Sequence, residues 1–164
     1  MQYTLHGHTL DHVTKAKYLG VTISSDLKWE SHINNITKKA NNTLGFLKRN
    51  LTISSVSMKE QAYKSLVRPS LEYACSVWDP YLQQDIYTIE RVQRRAAWFV
   101  TNKYRNTSGI GTCNMFQHLE WRSLHDRRKD SRLNMFYKIV NNKVDYPKNR
   151  QTHSTKKADT SFPH

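Results

Sequence analysis

Two stretches of this chain repeat apolar residues at a helical spacing, and that spacing restricts the fold more than any other feature. Trp29, Ile33, Ile36, Ala40, Leu44 and Leu47 fall within a sector of about 80° when each residue turns by about 100°. Lys38 and Arg49 point the opposite way. Ile86, Ile89, Val92, Ala96, Phe99 and Val100 line one side of a second stretch, from about Gln84 to Val100. Both stretches predict amphipathic helices whose apolar faces must be covered by other helices. Between them, Ser57-Met58-Lys59-Glu60 reads as a capping box, in which a serine oxygen and a glutamate satisfy free amides of the first turn. Pro69 lacks an N–H and crowds the preceding turn, so it predicts a kink or interruption near Arg68. The chain then resumes through Leu71, Tyr73, Val77 and Trp78 until Asp79-Pro80 stops it.

The ends are less regular. Tyr3 to His6 and Tyr18 to Ile23 read as extended, with a turn at His6-Gly7-His8 between them. A polar loop over 101–111 precedes a short helix over 114–119 and a last helix from about Ser123 to Asn141. Beyond Pro147 the sequence is polar and aperiodic, as expected of a disordered tail. The expected fold is therefore mainly α, a helical bundle with a short N-terminal β-hairpin (1–24), a helical body (25–146) and a disordered C-terminal tail (147–164).

Charge narrows the partners. Twenty-six Lys and Arg against thirteen Asp and Glu leave a net +13, which opposes compaction unless a polyanion neutralises it. Nucleic acid is the usual polyanion. No run approaches the roughly 20 apolar residues of a membrane span, and the first residues, MQYTLHGHTLDH, lack the apolar core of a signal peptide. An intracellular chain, nuclear or cytoplasmic and not secreted, is expected, with Cys75 and Cys113 reduced.

The third helix concentrates the basic signal. Arg91, Arg94, Arg95 and Trp98 occupy one continuous sector opposite the apolar stripe. Guanidinium groups on one helical face meet phosphates, and an exposed aromatic among them stacks on a base or sugar. A plain solvated face is the alternative, with Trp98 packed against a neighbouring domain. Lys38 and Arg49 on the first helix join the candidates. On the last helix Arg127 and Lys129 are the freer cations, whereas Arg128 and Arg132 align with Met135 and Ile139 and are expected to pair with Glu72 or Glu90. His6, His8 and His12 lie close together, but the chain offers no cysteine pair at zinc-ligand spacing, so they read as an exposed turn and no metal is expected. There is no paired-aspartate motif, no phosphate-cradling glycine loop and no nucleophile with a visible base, so neither catalysis nor a cofactor is expected of this chain.

Six segments in order, AKYLGVTIS (16–24), HINNITKKANNTLGFLKRN (32–50), YKSLVRPSLEYACSVWDPY (63–81), IERVQRRAA (89–97), LEWRSLHDRR (119–128) and MFYKI (135–139), resemble non-long-terminal-repeat retrotransposon reverse transcriptases of the jockey-like and chicken-repeat-like kind. The resemblance implies that Tyr18, Leu19, Gly20 and Val21 correspond to the end of the palm, near the hairpin that grips the primer terminus. It implies that the following helices are thumb-like and hold template–primer, with the basic helix at 89–97 facing nucleic acid. The palm aspartates expected upstream are missing, so the implied role is non-catalytic: sequence-tolerant binding of an RNA–DNA template–primer or single-stranded RNA. The alternatives are a protein-interaction module that docks on a reverse transcriptase palm, or a decayed element fragment without function. Two positions depart from the expected pattern. Trp98 stands in place of Arg, and Glu120 stands in place of Gly before Trp121, where it is expected to strain a tight turn.

Overall fold

The computed structural model describes residues 3–9, 11–102 and 112–144. They are mainly helical, with short antiparallel strands at the N-terminal end. The loop beyond Asn102 and the tail beyond Val144, including the segment expected to be disordered, lie outside the described residues.

The extended segments fold as two hairpins rather than one. Strand β1 (Thr4–Leu5) pairs with β2 (His8–Thr9) across the expected His6-Gly7 turn. Strand β3 (Lys15–Tyr18) pairs with β4 (Val21–Ser24), opposing Tyr18 to Val21. Leu19 and Gly20 both take positive φ, 45° and 85°. That is the two-residue turn whose twist matches the strands, and it makes 15–24 a self-contained hairpin. Tyr3–His6 and Tyr18–Ile23 are therefore not partners.

Helix α1 (Glu30–Asn50) buries Ile33, Ala40, Leu44 and Leu47 along the predicted stripe. Helix α2 (Val56–Ala62) is capped two residues before the predicted box. Ser55, not Ser57, is the N-cap and accepts from the Met58 N–H at 3.3 Å. Glu60 is thereby left for other partners, and it accepts from Lys64 Nζ at 2.6 Å and from the distant Trp121 indole N–H at 2.8 Å. A π-helical turn, Tyr63–Val67, then leads into α3 (Arg68–Glu72). Pro69 has no N–H for the carbonyl of Ser65, and the widened turn lets Arg68 N–H reach Tyr63 O, so the axis carries on without a break.

Helix α4 (Gln83–Thr101) runs through the centre, burying Ile89, Val92, Gln93, Ala96, Ala97, Phe99 and Val100. It packs on α1, α2, α5 (Thr112–His118) and α6 (Leu124–Val140). Ser123 caps α6 by accepting from the Asp126 N–H at 3.0 Å. Trp78 is buried with its indole N–H donating to Tyr73 O at 2.8 Å, so the large apolar ring enters the core with its polar atom satisfied. Glu120 ends the turn after α5 with φ of 52°, and Trp121 N–H reaches back to Phe116 O at 2.9 Å. This is the left-handed helix stop that favours glycine.

Candidate nucleic-acid interface

Helix α4 carries one face into the core, and its predicted basic face lies on the other side. Arg91 is exposed, while Arg94 and Arg95 are half-buried. The Arg94 guanidinium stands over the Tyr87 ring at 4.4 Å, two turns earlier on the same helix. Its Nη2 is shielded from water with no acceptor among the described residues. Arg95 donates to the Asn41 side-chain oxygen on α1 at 3.2 Å. Among the described residues, none of these three arginines pairs with a carboxylate.

The α1–α4 seam adds a cation that sequence reading missed. Lys48 lies two turns beyond Asn41 on the same flank of α1; burial lowers its pKa, and the charge of Arg95 lowers it further. Its signal was the seven-residue spacing from Asn41, which shows only once α4 is known to lie there. Lys38 and Arg49 are exposed, further round α1 from Asn41 toward solvent. Trp98 departs from expectation: it is half-buried and packed on the edge of the core rather than standing free.

The arginines of α6 are distributed differently from the sequence expectation. Arg127, predicted to be free, is held by both oxygens of Glu72, through Nε and, at 3.1 Å, through Nη2. This hydrogen-bonded pairing keeps its pKa raised. Glu72 lies at the end of α3, beside α6, and the sequence had offered it to Arg128 instead. Arg128 and Arg132 share Asp79, at 3.3 and 2.9 Å, because the Asp79-Pro80 loop passes beneath their face of the helix. Glu90 is occupied elsewhere, accepting from the His125 N–H at 2.7 Å. Of the α6 candidates, exposed Lys129 remains.

Tyr18, Leu19, Gly20 and Val21 form the tip of the β3–β4 hairpin, away from the α4 face. The Tyr73 hydroxyl donates to Leu19 O at 3.1 Å, and its ring lies 3.3 Å from where a Cβ on Gly20 would sit. A cleft of about 500 Å³ separates the hairpin from α1, lined by Lys17, Thr22, Asn35, Lys39 and Tyr73. Buried His32 also lines it. Its Nδ1 accepts from the Thr22 N–H at 3.2 Å, which places the ring proton on Nε2, and burial lowers its pKa. Lys17 and Lys39 supply positive charge there that the sequence did not single out. Among the described residues no three metal-ligating side chains converge, and no helix is long and apolar enough to cross a membrane. No known protein family, curated protein or solved structure matches the chain.

Proposed function

We propose that this chain binds nucleic acid without catalysing its synthesis, as the thumb-like, post-palm part of a retrotransposon RNA-directed DNA polymerase, with template–primer as its ligand. The observation that carries the reading is the α4 face. Arg94 is steadied by an aromatic ring and Arg95 by a neutral amide, Arg91 is exposed beside them, and none of the three is neutralised by a carboxylate among the described residues. Guanidinium groups oriented in this way suit phosphate oxygens, and a chain of net +13 gains by such neutralisation. Contacts of this kind are indifferent to sequence.

Fluorescence-anisotropy titration against an RNA–DNA duplex and single-stranded RNA, over a salt series, tests it. Replacing Arg91, Arg94 and Arg95 by Ala should weaken binding to all sequences alike. It should also flatten the logarithmic salt slope by about 2–3 if each arginine meets one phosphate. Unchanged affinity and slope would remove α4 from the interface. The exposed tip residues Tyr18 and Leu19, at 67% and 73%, favour a second reading in which the hairpin docks on a polymerase palm. That reading expects a folded chain that binds no nucleic acid alone.

A further inference from the structure

The basic face of α4 carries a second aromatic ring, one that the core does not use. At about 100° per residue, Tyr87, Arg91, Arg94, Arg95 and Trp98 fall within a single sector of about 100°. Trp98 packs on the edge of the core, but Tyr87 belongs neither to the core nor to the partly buried side chains around it. Its ring is 58% exposed even with the Arg94 guanidinium over one side, so the opposite side is open to solvent. The Tyr87 hydroxyl has no hydrogen-bond partner among the described residues. The arginines around the ring have no carboxylate partner among them either.

We infer that Tyr87 is a stacking platform for an unpaired nucleobase, so that α4 grips the single-stranded part of its nucleic acid. The inference rests on the proposed function and names the part of the ligand that this face meets. Unneutralised arginines around an open ring favour an anionic partner, and nucleic acid is the polyanion that also brings flat rings. In a duplex each internal base is already paired and stacked between its neighbours, which leaves Tyr87 only sugars and phosphates to touch. A single strand can splay a base onto an aromatic side chain. Arg94 holds the ring in one orientation beforehand, so less freedom is lost when a base arrives. Arg91 stands one helical turn further on, about 6 Å along the axis, placed for the phosphate next to the stacked base. Every base has a π-face, so such a platform tolerates any sequence.

Fluorescence anisotropy of the whole chain tests it with three probes of equal length: single-stranded RNA, the RNA–DNA duplex of the same sequence, and an abasic strand that keeps the phosphates without the bases. Tyr87→Ala should lower affinity for the single-stranded RNA by about 5- to 100-fold. Loss of the support under Arg94 weakens all three probes alike, so the ratio of single-strand to duplex affinity isolates stacking. That ratio should fall by at least about fivefold. The abasic strand should show only the loss that it shares with the duplex. Tyr87→Phe keeps the ring and should restore the ratio, whereas Tyr87→Leu keeps bulk without a π-face and should repeat the result with Ala. Tyr87 lies outside the core, so the circular dichroism of each variant should match that of the wild type. An unchanged ratio, or equal losses on abasic and base-bearing strands, would overturn the inference and leave phosphate binding by the arginines standing. A wild-type chain that binds none of the probes would overturn both.

Discussion

Asp79 should be the most consequential carboxylate for stability. Arg128 has no exposed surface, and its Nη1 and Nη2 have no acceptors among the described residues. Asp79 reaches its Nε at 3.3 Å and also takes Arg132 at 2.9 Å. In Asp79→Ala the guanidinium of Arg128 remains buried without its counter-charge, a change that costs about 3–5 kcal/mol. The Arg132 contribution is small, because that side chain is 43% exposed and screened by solvent. Against a total stability of about 5–15 kcal/mol, such a loss moves the urea midpoint far or abolishes the cooperative transition. Urea unfolding followed by tryptophan fluorescence, with buried Trp78 beside the mutated position, measures it. A second variant, Asp79→Ala with Arg128→Met, replaces the buried charge by an apolar side chain of similar length and should recover most of the loss. A single-variant cost below about 1 kcal/mol, or a double variant no more stable than the single, would refute the account of Arg128 as a buried charge held by Asp79.

Glu120→Gly should stabilise the chain by about 0.5–1 kcal/mol. The left-handed φ of 52° penalises a Cβ, and glycine gives back part of the gain through its freer unfolded state; a thermal melt no higher than wild type would count against strain at that turn. Lys59→Met should destabilise by about 1–3 kcal/mol in chemical denaturation, because the buried amine donates to Thr52 O at 3.2 Å and to Asn102 Oδ1 at 2.6 Å. Equal stability would mean that neither acceptor depends on it. His32 gives a pH dependence: its folded pKa lies below 6.5, so the unfolded chain takes up a proton first as pH falls. Stability should therefore decline on acidification below about pH 6.5, with a His32 share of at most about 1.4 kcal/mol per pH unit. His32→Asn should flatten that slope, and an unaltered slope would show that His32 does not contribute.

The long helices were legible because their buried faces repeat at the helical period over many residues. Ile33, Ala40, Leu44 and Leu47 on α1, and Ile89, Val92, Ala96, Phe99 and Val100 on α4, are where the pattern places them. Features set by distant partners were not legible. The box at Ser57 is locally sound, but Glu60 is drawn to the Trp121 indole while Ser55 takes the cap, and no nearby residue announces that distant partner. The same holds for the α6 arginines. Period alone identified the side of α6 that meets the body, but Asp79 lies in a loop outside any periodic segment, so its part in fixing Arg128 and Arg132 required the fold. The N-terminal hairpin structure was legible, but which segments pair was not: strands of two to four residues carry too little alternation to choose partners, and the Leu19-Gly20 turn made the choice.

The distribution of arginines explains why α4, rather than the more densely basic α6, is the surface to test. Glu72 takes Arg127 and stands 3.7 Å from Arg68, Asp79 takes Arg128 and Arg132, and Asp130 takes Arg122 at 2.5 Å. Their charge is largely spent within the protein. On α4 the supports are neutral, the Tyr87 ring for Arg94 and the Asn41 oxygen for Arg95. Neutral supports fix direction without cancelling charge, which is the condition for a cation to gain from an external phosphate. Screening by salt weakens contacts made by the α4 cations, so a salt series read by anisotropy should show the α4 triple variant with a flatter slope than the unaltered chain, whereas substitution of the paired α6 arginines should leave that slope nearly unchanged.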